Sequence, residues 1–81
     1  MVDIERLRSV FRKSLELPDD WPVDALEYRA IPQWDSLAHM SLVAAIEDQF
    51  DVMVDTDDVI DLSSFDKARE ILARHGVSFV G

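Results

Sequence analysis

Apolar residues recur at three- and four-residue spacing in three segments of this chain, which is the pattern of helices that bury one face. The first helix is predicted from Asp3 or Ile4 to about Leu15, with Asp3 as its cap. Strand signals are weak, because the chain has no Asn-Gly or Asp-Gly turn and no long alternating run. The apolar stripe of this helix consists of Ile4, Leu7, Val10, Phe11 and Leu15.

The second helix is predicted to begin at Asp35 or Ser36 and to end near Phe50, since Asp and Ser are preferred caps. The last helix is predicted over Ser64–His75, with Gly76 as its stop. The inward stripes of these two helices are Leu42, Val43, Ile46 and Phe50, and then Phe65, Ala68, Ile71 and Leu72.

A short helical turn is predicted around Asp57 to Asp61, with Thr56 or Asp55 as its cap. The first helix is followed by a long loop, from about Glu16 to Trp34, of a length that is often functional. The sequence therefore predicts an all-α fold. It is a small four-helix bundle of three main helices and one short helix, formed by all 81 residues as a single domain.

The charge balance limits the classes of partner. With 17 acidic and 8 basic residues, the net charge is −9, which is the opposite of a nucleic-acid binder's basic footprint. An anionic membrane surface is disfavoured for the same reason. Between Asp35 and Asp66 there are nine acidic residues and no Lys or Arg. This segment is either a solvated acidic face or a docking face for basic partners, and charge alone leaves both open.

The chain has no Cys, which excludes disulfides, thiolate metal sites and a Cys nucleophile. No apolar run approaches the roughly 18 residues of a membrane span. The N-terminal segment is charged from Asp3 onward and lacks a signal-peptide apolar stretch. We therefore expect a cytoplasmic protein, and a monomer.

Ser36 lies at the predicted start of the second helix. The simplest interpretation of the Asp35-Ser36-Leu37 tripeptide is a helix cap. The functional alternative is a hydroxyl that accepts a phosphate ester at a helix N-terminus, where free amides and the helix dipole favour an anion. Such a site suits covalent modification and not catalysis, because no neighbouring group clearly activates the hydroxyl.

The segment from Asp35 to Phe50 resembles the signature of acyl carrier proteins. In that family Asp-Ser-Leu is followed by an apolar pair, here Leu42 and Val43, and then by an acidic segment ending in Phe. The resemblance covers the whole chain, since the family forms an acidic four-helix bundle of about this length with a long first loop and a short third helix.

The resemblance implies that Ser36 is the attachment point of 4′-phosphopantetheine. A phosphopantetheinyl transferase would load the arm from coenzyme A with Mg²⁺, which Asp35 would help to place during loading only. The thiol of the arm would carry acyl intermediates as thioesters between the enzymes of fatty acid, polyketide or other specialised biosynthesis. Loading ligases or transferases and downstream biosynthetic enzymes would be the other partners, and they would perform the catalysis.

Some residues depart from the family pattern. Gln33 stands where the family usually has Gly, and Ser41 stands where carriers of fatty acid synthesis typically have Glu. Trp34, Leu37 and Met40 are expected to form an apolar rim near Ser36, and the alternative for Trp34 is core packing of the loop. These departures favour a specialised stand-alone carrier. The expected partner face of the second helix consists of this rim together with Val43, Glu47 and Asp48.

Several alternatives stay open at this point. The cargo could be an aminoacyl or peptidyl group of secondary metabolism or of cell-surface polysaccharide synthesis, and the chain could be an acidic interaction module without a cofactor. Ser36 and His39 could form a hydrolase-like pair. Asp55, Asp57, Asp58 and Asp61 could bind divalent ions weakly, but their spacing fails that of a helix–loop–helix calcium site.

Overall fold

The computed structural model describes residues 2–80, and four helices with two short strands lie within them. The elements are β1 (Val2–Asp3), α1 (Ile4–Ser14), α2 (Ser36–Phe50), α3 (Thr56–Asp61), α4 (Phe65–Arg74) and β2 (Phe79–Val80). The predicted helices are confirmed to within one residue at each end. The arrangement is a small helical bundle in which α1 packs along α2.

Each helix begins where a short polar side chain accepts a hydrogen bond from a free amide of the first turn, which stabilises a helix by about 1 kcal/mol. The four capping residues are Asp3, Asp35, Asp55 and Ser64. The sequence left Asp35 and Ser36 as alternatives for α2, and the structure assigns the cap to Asp35. Ser36 is therefore not needed as a cap.

The core forms where the apolar stripes of α1, α2 and α4 meet, and Phe11 lies at its centre. The Phe11 ring packs edge-on against Trp34, at 5.5 Å between ring centroids, and against Phe65 at 5.1 Å. Such edge-to-face contacts add to the burial energy of large aromatic side chains. The largest fully buried side chains are Trp34, Phe11, Phe65, Leu7, Leu15, Leu42, Ile46, Leu72 and Val23.

The long loop between α1 and α2 is anchored to α1 by two arginines. Arg12 donates to the backbone oxygen of Trp21 at 2.9 Å. Arg8 donates two hydrogen bonds of 2.8 Å to the carboxylate of Asp24 and a third to Glu5. The hydrogen bonds from Arg8 lower the pKa of Asp24, and the same pairing raises the pKa of Arg8. The loop is thus held against the bundle at its middle.

The same loop is also bonded to the segment between α3 and α4. The amide of Tyr28 donates to the oxygen of Ser63 at 2.8 Å, and the amide of Phe65 donates to the oxygen of Leu26 at 3.1 Å. These bonds flank an isolated antiparallel bridge between Glu27 and Ser64. The loop is therefore an ordered part of the fold, which brings Tyr28 to the start of α2.

The expectation of a purely helical fold omitted one feature. Strands β1 and β2 pair in parallel, with Val2 opposite Phe79 and Asp3 opposite Val80. Two residues a strand are too few to produce an alternating pattern in the sequence, which is why this pairing was not predicted.

Helix α3 is tied to the end of α4 by the buried carboxylate of Asp58. Its two oxygens accept hydrogen bonds from Arg74 at 3.2 Å and from His75 Nε2 at 3.0 Å. The Asp58 carboxylate is therefore engaged with the end of α4. Within residues 2–80, no group of three or more His, Asp or Glu side chains is placed to hold a metal ion.

None of the helices in the described part of the chain combines the length and the apolar character that crossing a membrane requires.

Candidate functional site

Ser36 is the first residue of α2, and its side chain is exposed. Asp35, directly before it, uses one carboxylate oxygen to accept a hydrogen bond from the amide of Ala38 at 2.9 Å. The backbone oxygen of Asp35 accepts from the amide of His39, also at 2.9 Å. These bonds fix the direction of the first turn of α2. The Ser36 hydroxyl is consequently presented from a rigid helix start to the surroundings.

The Ser36 hydroxyl has one side-chain neighbour that the sequence did not indicate. The Tyr28 hydroxyl lies 3.2 Å from Ser36 Oγ, at hydrogen-bond distance. The Tyr28 ring packs against Trp34 at 5.9 Å and against His39 at 5.1 Å between ring centroids. Tyr28 is the chain's single Tyr and precedes Ser36 by eight residues, and no local periodicity links the two.

Trp34 is fully buried, at 0% exposure. The prediction that it belongs to an exposed apolar rim is wrong. Its indole Nε1 donates to Nδ1 of His39 at 3.1 Å, and its ring contacts Phe11 in the core. The buried indole can stay in the core because its single donor has a partner there.

His39 is held at both ring nitrogens. Since the indole nitrogen of Trp34 can only donate, Nδ1 of His39 must accept, and the proton lies on Nε2. Nε2 then donates to the backbone oxygen of Val59 at 2.9 Å. A His base for Ser36 would need a free nitrogen within hydrogen-bond reach. Because both nitrogens are occupied, the Ser36–His39 hydrolase pair lacks its base.

The exposed apolar surface next to Ser36 is narrower than expected. Leu37 is 80% exposed and Met40 is 55% exposed, so these two predicted contact residues are accessible. Val43 is 4% exposed and belongs to the core. The prediction that Val43 contributes to the partner face is wrong, because its position in the helical stripe with Leu42 and Ile46 turns it inward.

The two acidic residues of the expected partner face differ in their surroundings. Glu47 is half-buried, and its carboxylate accepts a hydrogen bond from the amide of Val54 at 2.9 Å. That bond holds the segment after α2 in place. Asp48 is exposed. The acidic character accessible on this part of α2 is therefore carried mainly by Asp48.

An open groove of about 540 Å³ lies between the end of α1 and the start of α2. It brings the predicted residues Asp35 and Leu37 together with Gln33 and Ser41. The opposite wall contains Lys13 from α1, which sequence reasoning assigned no role. The groove thus combines the capping carboxylate of Asp35, the exposed Leu37 and the charged residues Lys13 and Glu16, whereas Ser36 itself does not line it.

No protein-family model, no curated protein and no solved structure matches this chain.

Proposed function

We propose that this protein is a carrier protein that bears a 4′-phosphopantetheine arm on Ser36 and shuttles acyl groups as thioesters between biosynthetic enzymes. The observation that supports this most directly is the exposed hydroxyl of Ser36 on the first turn of α2, released from capping by Asp35. The proposal also draws on the resemblance of residues 35–50 to the carrier signature. A cytoplasmic location is part of the proposal.

The residues at this position fit the arm. Ser36 Oγ is accessible to an enzyme, whereas the neighbouring Trp34 is removed from the surface. In the loading step, Ser36 Oγ forms a bond to the phosphorus of coenzyme A that carries the pantetheine group. The pyrophosphate bond breaks, adenosine 3′,5′-bisphosphate leaves, and the hydroxyl proton passes to a base of the transferase. The bound arm supplies the thiol that this Cys-free chain lacks.

Asp35 suits the part that the resemblance gives it in loading. Its cap to Ala38 uses one carboxylate oxygen and holds the group beside Ser36. A carboxylate oxygen is a ligand that Mg²⁺ prefers. In this proposal Asp35 helps to place the Mg²⁺ of the transferase and has no metal role afterwards.

The partner surface consists of Leu37, Met40 and Asp48. Leu37 and Met40 are exposed one turn apart on α2, and adjoining exposed apolar side chains can form part of a protein interaction site. Asp48 adds negative charge that attracts basic patches on partner enzymes. Glu47 contributes less, because its carboxylate is engaged with Val54.

Mass spectrometry tests this function. The purified protein is incubated with coenzyme A, Mg²⁺ and a phosphopantetheinyl transferase of broad specificity. We expect a gain of the mass of one phosphopantetheinyl group, located on Ser36 and absent in Ser36→Ala. The matched control is Ser41→Ala, which removes another exposed hydroxyl of α2 and should load as the wild type does.

The other candidate functions predict different results. Unchanged mass with several transferases contradicts the carrier proposal and favours an acidic interaction module. A loaded protein that accepts amino acids from adenylating ligases, but no acyl groups, identifies an aminoacyl or peptidyl carrier with the same arm.

A further inference from the structure

We propose that the Tyr28 hydroxyl donates a hydrogen bond to the phosphodiester formed on Ser36, and so fixes the base of the arm against the long loop. This inference rests on the proposed function and adds a positioning residue to it. The observation behind it is the 3.2 Å separation between the Tyr28 hydroxyl and Ser36 Oγ.

Tyr28 is held in place by contacts that do not involve Ser36. Its amide donates to Ser63, which joins the loop to the segment before α4. The centroid of its ring lies 5.9 Å from that of Trp34 and 5.1 Å from that of His39. The Trp34 and His39 rings are themselves joined by a hydrogen bond. The guanidinium carbon of Arg29 lies over the same ring, 5.7 Å from its centroid. The hydroxyl is therefore oriented before any ligand arrives.

Loading decides the direction of the hydrogen bond. In the unmodified protein, either hydroxyl can donate. After esterification Ser36 Oγ has no proton, so the pair can persist only if Tyr28 is the donor. The new phosphodiester also carries a negative charge, and hydrogen bonds to charged acceptors are about twice as strong as neutral ones.

The same geometry is compatible with the loading step. While Tyr28 donates to Ser36 Oγ, the proton of Ser36 is free to leave to the base of the transferase. Oγ then forms its bond to phosphorus as adenosine 3′,5′-bisphosphate departs, and Tyr28 keeps its own proton throughout. The tyrosine thus orients the acceptor before transfer and the product after it.

Tyr28→Phe is the test variant, since it removes the hydroxyl and keeps the ring that packs on Trp34 and His39. Free energies of unfolding are measured in urea for the wild type and the variant, each unmodified and loaded. If Tyr28 contributes only by packing, the substitution lowers the free energy of unfolding by the same amount in the unmodified and the loaded protein. We expect the substitution to raise the unfolding constant roughly fivefold more in the loaded form.

A second readout is the ³¹P resonance of the loaded arm, which we expect to move in Tyr28→Phe and to stay in place in Ser41→Ala. Equal destabilisation of the unmodified and loaded forms overturns the inference, as does an unmoved ³¹P resonance. Neither of these two results contradicts the carrier function, because both require that the wild type has been loaded with the arm. If the wild type cannot be loaded, both the carrier function and this inference are contradicted.

Discussion

Trp34 and His39 are joined by a hydrogen bond in which the indole N–H donates to Nδ1 of His39 at 3.1 Å, and Nε2 of His39 donates in turn to the backbone oxygen of Val59 in α3. The two rings are nearly parallel, with 22° between their planes. His39 thereby connects the end of the long loop, the first turns of α2 and the short helix α3. The surroundings of Ser36 depend on this connection, because Tyr28 packs against both rings.

Replacing His39 by Ala should destabilise the protein. The buried indole N–H of Trp34 would lose its acceptor, and an unpaired buried donor costs about 1–3 kcal/mol. The measurement is the free energy of unfolding in urea, followed by far-UV circular dichroism. Ser41→Ala, an exposed change on the same helix, should stay within about 0.5 kcal/mol. A similarly small effect of His39→Ala would mean that the hydrogen bond between Trp34 and His39 contributes little to the free energy of unfolding.

Replacing Asp58 by Asn should loosen α3 from α4. Asp58 is 7% exposed, and its carboxylate bonds Arg74 and His75. Because hydrogen bonds to charged groups contribute about 1.5–3 kcal/mol, we expect a loss of that order in the unfolding free energy. Asp57→Asn is the matched control, since that residue is an exposed neighbour on α3. Equal losses in the two variants would contradict the assignment.

The contribution of Asp24 to stability should disappear in acid. The hydrogen bonds from Arg8 lower the folded-state pKa of Asp24 below its ordinary value of about 3.9. The stabilisation is therefore complete above that ordinary value and is lost as the pH falls through the folded pKa. We expect the Tm of the wild type to exceed that of Asp24→Asn near neutrality, with the difference shrinking below about pH 4.

Asp20→Asn is the control for this pH dependence, because Asp20 is an exposed carboxylate of the same loop. Its Tm difference from the wild type should change little with pH. If the difference for Asp24→Asn also stayed constant into acid, the pairing with Arg8 would not be a source of stability.

Substitutions at Leu37 and Val43 should have different effects, the first on recognition by the transferase and the second on stability. Leu37→Ala changes an exposed side chain, so we expect a several-fold lower kcat/KM for transferase loading with unfolding free energy within about 0.5 kcal/mol of the wild type. Val43→Ala should instead lower stability by about 1–3 kcal/mol, because it leaves a cavity in the core. Val80→Ala, an exposed apolar change in β2, should affect neither quantity. Normal loading of Leu37→Ala would remove Leu37 from the partner surface.

The parts of this fold that depend on neighbouring residues were predictable. Asp3, Asp35 and Ser64 cap their helices through side chains that bond amides two or three residues further on, so the sequence places these helix starts closely. Val43 illustrates the limit of resemblance. The helical spacing predicts that Val43 faces the core with Leu42 and Ile46, whereas the resemblance implies that it faces partners. Its burial confirms the prediction from the spacing.

The parts that depend on distant residues were not predictable from one sequence. The inward position of Trp34 requires an acceptor on His39 and a space beside Phe11, which only the packed bundle provides. Tyr28 reaches Ser36 because the loop bonds to Ser63, 35 positions further along the chain. Long-range contacts of this kind leave no periodic signal.

The pairing of β1 with β2 places the first and last strands of the described chain side by side. Phe79 packs edge-on against Phe50, the last residue of α2, at 5.6 Å between ring centroids. Ser36, the first residue of the same 15-residue helix, lies about 21 Å away along its axis. A fusion partner or surface tether attached through either end would therefore leave the hydroxyl facing outward, so that immobilised protein should remain open to enzymes in solution.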